Sequence, residues 1–336
     1  MTMGYKKICI IHLNQIGDLV FSLPLLKALR ENFPDASIHS VLKPHLKGLL
    51  ADSPYVDSII PRENGLKAKG KLLGIIRKNR YDLLIALARS EKCLILTALS
   101  KAKVKAGFSH SPWDLCLDIK DTIEGHNSWY NSAKLLKQLK VNVSKNDYVG
   151  LLNIDKNEND CTLPEKFVII SPGASSRRLT KTWEQEKFAE LILLLKGKYN
   201  LTPVLVGGND NQKYNQTIIA HVKEKVFGKD IDIFDLTGGS LRSLCSVIKD
   251  ASLFVGIDSG FMHMASSFDI PVVALFGPTD PFYVGPQNKK SIVVREEGME
   301  CVPCYLKECE NRDCMKKLKV VKVFDACEKL LMQDAQ

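Results

Sequence analysis

The chain has 336 residues, 45% of them hydrophobic and 25% charged, with a formal net charge of +9. That length suits two domains with full cores, and the composition excludes a disordered or fibrous chain. No apolar run approaches the ~18–20 residues that span a bilayer. The short run at 8–13 lacks a cleavage site behind it, so neither a membrane span nor a secretory leader is expected, and the expected location is the cytoplasm.

Residues 8–13 read as a buried strand and 19–30 as a helix with Pro24 near its start. Strands follow at 37–42 and 56–60, then a helix at 66–78, a strand at 82–88, a helix at 92–100, a strand at 104–108 and a helix at 128–139. The polar stretch 155–162 has no periodicity and reads as a linker. The rhythm restarts with a strand at 167–171, a helix at 183–198, a strand at 203–207, a helix at 214–226 and a strand at 233–236. A helix at 241–249, a strand at 253–256, a helix at 261–268 and a strand at 272–276 complete it. Alternating βα units of this kind build parallel sheets covered on both faces. The expected fold is α/β, two doubly wound Rossmann-like domains at 1–155 and 163–336, with the last helix free to pack back on the first domain. Ligands of such sheets bind outside the carboxyl ends of the strands, so the expected site is a central cleft between the two domains.

Charge is uneven. Residues 1–150 carry 23 Lys and Arg against 13 Asp and Glu, a net of +10, and the remainder carries 24 against 25, a net of −1. Twelve basic and three acidic residues lie between Arg62 and Lys105. Such a surface attracts nucleic acid, anionic membrane or an acidic substrate, or simply keeps a protein soluble.

The first strand ends in Asn14-Gln15-Ile16-Gly17-Asp18, without the G-x-G-x-x-G of dinucleotide-binding turns. Asp18 reads either as the N-cap of the following helix or as a general base at the crevice mouth. After the strand at 167–171 come Ser175, Ser176, Arg177 and Arg178, then Thr180-Lys181-Thr182-Trp183. Small hydroxylic residues followed by cations suit a phosphate-bearing ligand, with Lys181 supplying charge; a basic solvated turn is the plain alternative. Asp258-Ser259-Gly260 carries another strand into a helix, where free N–H groups offer an anion site and His263 falls in the first turn. Gly277-Pro278-Thr279-Asp280-Pro281 should form a rigid loop on the same rim.

Of ten cysteines, Cys9, Cys93, Cys116, Cys161, Cys245 and Cys327 are scattered and read as small buried hydrophobes. Cys301, Cys304, Cys309 and Cys314 have C-x2-C-x4-C-x4-C spacing. That spacing admits a structural zinc or an iron–sulfur cluster, though it is tighter than two paired knuckles need; a thiol cluster or local disulfide is the other reading.

The stretches Gly17-Asp18-Leu19-Val20-Phe21-Ser22-Leu23-Pro24, Thr180-Lys181-Thr182-Trp183, Asp258-Ser259-Gly260-Phe261-Met262-His263 and Gly277-Pro278-Thr279-Asp280-Pro281, in that order, resemble family 9 glycosyltransferases, the bacterial lipopolysaccharide heptosyltransferases. The resemblance implies a GT-B fold and inverting transfer from a nucleotide sugar, typically ADP-heptose, to the lipopolysaccharide inner core, with no required metal or cofactor. It implies Asp18 as the catalytic base, with Gly17 on the same acceptor-side loop, and Lys181 as the cation on the donor diphosphate. It places Ser175, Ser176, Asp258, Ser259, Gly260 and His263 around the donor. The family often has Arg or Lys five residues before the motif glycine, where this chain has His12, which leaves an acceptor contact from that position open. Expected partners are the nucleotide sugar and a phosphorylated glycolipid at the inner membrane surface; no nucleic acid is expected, and the chain is expected to be a monomer. Other readings are transfer from another nucleotide sugar or to another glycan, or non-catalytic binding of a sugar nucleotide or glycolipid.

Overall fold

In the computed structural model the apolar runs of the first half become parallel strands: β1 Lys7–Ile11, β2 Ser37–Leu42, β3 Ser58–Pro61, β4 Leu83–Ala86, β5 Val104–Phe108 and β6 Ile119–Asp121. Between and after them run α1 Ile16–Phe21, α2 Leu23–Asn32, α3 Leu66–Asn79, α4 Glu91–Leu99 and α5 Ser128–Gln138. The structure describes residues 4–88, 90–109, 112–126, 128–154, 162–173, 178–226 and 231–333, and most of the expected linker lies outside them. Two units divide the chain, Met1–Asp155 and Lys156–Gln336.

The first sheet has the order β3-β2-β1-β4-β5-β6. Ile8, Cys9, Ile10 and Ile11 of the inner strand β1 are fully buried, as helices on both faces require. The single helix expected at 19–30 is two helices. Pro24 has no N–H for the carbonyl of Val20, so the helical ladder breaks and restarts at Ser22, whose hydroxyl donates to Leu19 O at 2.7 Å. The strand β6 is short and at the edge, with only one apolar residue, and no periodicity announces it.

The second unit repeats the plan with β7 Phe167–Ser171, β8 Thr202–Leu205, β9 Phe234–Asp235, β10 Leu253–Ile257, β11 Val272–Phe276 and β12 Ser291–Arg295. Its helices are α6 Gln185–Tyr199, α7 Gln212–Lys225, α8 Leu241–Lys249, α9 Gly260–Ser267, α10 Pro281–Val284, α11 Asp313–Lys316 and α12 Val320–Gln333. The strand order is β12-β11-β10-β7-β8-β9. Counted within each unit, both sheets have the order 3-2-1-4-5-6, so the order reverses between β1 and β4 and again between β7 and β10. Those are the two places where a doubly wound sheet opens a ligand crevice. At the second, β10 runs so close to β7 that a Cβ on Gly256 would fall 2.6 Å from Ser171 O.

The last helix, α12, packs within its own unit. Val323, Cys327 and Leu330 of α12 are spent in the core of the second unit, with Trp183, Phe188 and Leu191. Cys9, Cys93, Cys245 and Cys327 are buried as expected, Cys116 is half-buried, and Cys161 lies outside the described residues.

Candidate active site

At the first switch point β1 leads into α1, whose second and third residues are Gly17 and Asp18. The N-cap position belongs to Gln15, and no side chain caps this end, which corrects the reading of Asp18 as the cap. Instead Asp18 Oδ1 accepts a hydrogen bond from Ser128 Oγ of α5 at 2.8 Å. Burial pushes the Asp18 carboxyl above its usual range, and the Ser128 bond opposes that shift. A carboxylate with raised proton affinity, placed at a crevice mouth, is suited to taking a proton.

His12 is fully buried, with Nδ1 3.1 Å from Ser22 Oγ and Nε2 3.1 Å from Ser40 Oγ. The Ser22 hydroxyl proton is committed to Leu19 O, so Ser22 accepts from Nδ1–H and Ser40 donates to the bare Nε2. Burial, with Arg62 adding to it, pushes the His12 ring down to about 3, so it stays neutral. A cation reaches this turn from another strand. Arg62, directly after β3, donates through Nη2 to His12 O at 2.7 Å and to Asn14 Oδ1. The sequence showed Arg62 only as one member of a basic run.

At the second switch point three loops converge. Lys181 closes a 3-10 turn, Leu179–Lys181, after β7, and its Nζ is 2.5 Å from Asp258 Oδ2 at the end of β10. Thr279, after β11, donates its hydroxyl to the same oxygen at 2.7 Å. Ser259 is the N-cap residue of α9 in extended conformation, and among the described residues its Oγ is buried without a hydrogen-bond partner, as is Ser171 Oγ at the end of β7. Gly260 starts the helix, whose first N–H groups have no intrahelical acceptor and carry the positive end of the helix dipole. An ammonium, two hydroxyls and open N–H groups are the donors that phosphate oxygens take. His263, one turn into α9, is 3% exposed; burial pushes its ring down to about 4, so it is neutral at pH 7. Ser175 and Ser176 lie outside the described residues. Asp280 caps α10 through a bond from the Phe282 N–H at 3.0 Å, which stiffens the loop that carries Thr279.

The Lys181 turn is fastened to the chain's last quarter. Arg178 donates to Tyr305 O at 3.2 Å, Thr180 to Leu306 O at 2.8 Å, and Arg312 to Thr182 Oγ1 at 3.0 Å. Pro278 O accepts the N–H groups of Cys304 and Tyr305 at 3.0 and 2.9 Å. Cys301, Cys304, Cys309 and Cys314 line one cavity of about 200 Å³, and all four thiols are free. Among the described residues no three His, Cys, Asp or Glu side chains stand in a metal-binding arrangement. Burial, with the neighbouring Cys301, Cys304 and Cys309 thiols adding to it, pushes the Cys314 thiol up to about 11.

Two sheets of Rossmann order, one with a cluster of phosphate-compatible donors and the other with a half-buried carboxylate at its switch point, are the frame of a GT-B fold. The chain belongs to glycosyltransferase family 9 (heptosyltransferase), whose model matches residues 70–315. A relative from Escherichia coli, named lipopolysaccharide heptosyltransferase 3, is 24% identical and covers 94% of this chain and 96% of its own. The solved family 9 glycosyltransferase of Veillonella parvula superposes with a TM-score of 0.82 at 22% identity, covering 99% of each chain. The structure described as E. coli ADP-heptose lps heptosyltransferase II superposes with a TM-score of 0.81 at 21% identity, covering 98% of this chain and all of the other.

Proposed function

We propose that this glycosyltransferase moves a heptose from ADP-heptose to the inner core of lipopolysaccharide, with inversion at the anomeric carbon. The observation that carries the reading is the meeting of Lys181, Asp258 and Thr279 beside the open start of α9. In the proposed reaction the acceptor hydroxyl oxygen bonds to the anomeric carbon while the bond from that carbon to the ADP oxygen breaks. The hydroxyl proton passes to Asp18, and ADP leaves with the bonding electrons. Lys181, the Ser259 hydroxyl and the first N–H groups of α9 stabilise the charge that develops on the diphosphate, and no step is assigned to a metal. Membership of the heptosyltransferase family and the E. coli structure named for ADP-heptose support that donor. A panel of nucleotide sugars offered with defined core acceptors tests the reading. ADP-heptose is expected to give the highest kcat/KM, and a chelator is expected to leave turnover unchanged. A different preferred donor would replace the proposed substrate, and ADP binding without any transfer would favour a binding protein.

The basic first unit is proposed to draw in an anionic glycolipid acceptor at the inner membrane surface from the cytoplasmic side. Among the described residues no helix is long and apolar enough to cross a membrane. Lys67, Lys69 and Lys71 on α3 are exposed, and Leu66 beside them is 84% exposed. Binding to anionic vesicles is expected to weaken as salt rises, because screening shortens to about 8 Å at physiological ionic strength. Replacing Lys67, Lys69 and Lys71 with Glu is expected to raise the acceptor KM and spare the donor KM. Normal acceptor kinetics in that variant would reduce the stretch to a solvated face.

A further inference from the structure

We propose that Ser128 is the positioning residue of the base, holding one oxygen of Asp18 so that the other meets the acceptor hydroxyl. The proposal rests on the reading of Asp18 as the base. Ser128 is the first residue of α5 and stands 110 positions from Asp18, and its Oγ is 2.8 Å from Asp18 Oδ1. A neutral hydroxyl donor does two things for a half-buried carboxylate. It fixes the torsion of the carboxyl group, and it stabilises the charged form that burial disfavours. Among the described residues the hydrogen bond of the Asp18 carboxyl is the one on Oδ1, and Oδ2 is assigned to the proton transfer.

Lys27, Arg30, Lys134 and Arg62, charged groups on the elements around the pair, are committed to other partners. On α2, which packs on α1, Lys27 pairs with Glu31 and Arg30 with Asp57. On α5, which also packs on α1, Lys134 pairs with Asp121 and Glu124, and Lys137 lies in the last turn. On the β1 side Arg62 is bonded to His12 O and Asn14, and His12 is neutral. His126, two residues before Ser128, is the ionisable group that needs a control.

The test is the pH profile of kcat/KM for transfer by the full-length protein, with ADP-heptose and a defined core acceptor. Ser128→Ala removes the donor and keeps a good helix former. It is expected to move the acid limb upward by about one pH unit, because the charged form of Asp18 loses its bond. Activity is expected to be lost mainly at low pH and largely recovered on the alkaline side. Ser128→Thr keeps a hydroxyl and is expected to keep the limb in place, and His126→Gln separates that ring's own titration. ADP affinity is expected to be unchanged in all three. A limb that stays put in Ser128→Ala, with rates falling equally at every pH, would overturn the proposal and leave only a packing role. The base reading fails separately, by full activity in Asp18→Asn, so the two failures are distinguishable. If Ser128→Ala does not fold, Ser128→Cys, a weaker donor of similar size, is expected to shift the limb in the same direction, and an unmoved limb there overturns the proposal equally.

Discussion

Asp18→Asn is expected to lower kcat/KM for sugar transfer by about 10²–10⁴-fold, the usual loss on removing a general base, with ADP affinity nearly unchanged. Asn has the shape of Asp, and its carbonyl oxygen can still accept the Ser128 hydroxyl, so the arrangement of α1 and α5 survives. Stability should not fall either. The folded Asp18 carboxyl has its pKa raised, chiefly by burial. An acid with a raised folded pKa binds protons more tightly in the native state. Its ionisation therefore costs stability, and that cost sets in as pH climbs through the ordinary carboxylate range and up to the raised value. Above the raised value the cost is present in full, and Asn removes it. The variant should melt at the wild-type temperature or above while being nearly inactive. Wild-type turnover would remove the base assignment, and loss of the fold would return Asp18 to a structural role.

Lys181→Ala is expected to weaken ADP binding by about 10–100-fold, the worth of one lost charge-assisted contact, and to slow transfer as well. Here stability is also expected to fall. Asp258 is 7% exposed and would lose its ion-pair partner, with Thr279 as its remaining bonded partner among the contacts described. Breaking a fully buried pair costs about 3–5 kcal/mol. Lys181 retains 18% exposure, so the loss should fall below that range. A second substitution separates the two effects. Lys181→Ala combined with Asp258→Asn should recover much of the melting temperature, because no buried charge is left unpaired, yet should not recover ADP affinity. Calorimetry with ADP and a thermal melt on both proteins decide it. Unchanged ADP affinity in Lys181→Ala would confine the lysine to an architectural part.

The strands at 37–42, 104–108, 167–171 and 272–276 fall where the pattern placed them; 167–171 and 272–276 are nearly continuous apolar runs buried along their whole length, while Ser37, His39, Ser40 and Lys105 interrupt the other two. The meeting of Lys181, Asp258 and Thr279, proposed as the donor side, follows from the order of the strands. Lys181, Asp258 and Thr279 each follow a strand, and a doubly wound sheet gathers the carboxyl ends of its strands. What escaped was long-range and side-chain specific. Ser128 and Arg62 sit in stretches with no local signal, and only the folded chain brings them to Asp18 and His12. His12, read as a departure at an acceptor position, is instead a neutral strut between Ser22 and Ser40. The strands β6 and β12 went unseen because each is an edge with alternating or exposed residues, where burial leaves little imprint on composition.

The fastening of the Lys181 turn to the chain's end has a consequence for how the second unit breathes. Thr180 is tied to Leu306 across 126 positions, and the Trp183 indole donates to Leu318 O at 2.9 Å across 135. Segments joined in this way open together, as one cooperative foldon, because freeing either strands the partners of the other. Amide protons around Thr182 and around Leu318 are therefore expected to exchange as a single class, which native-state hydrogen exchange checks. A disturbance at the C-terminal helix is expected to reach Lys181, proposed to meet the donor diphosphate, as a change in how often its turn is open.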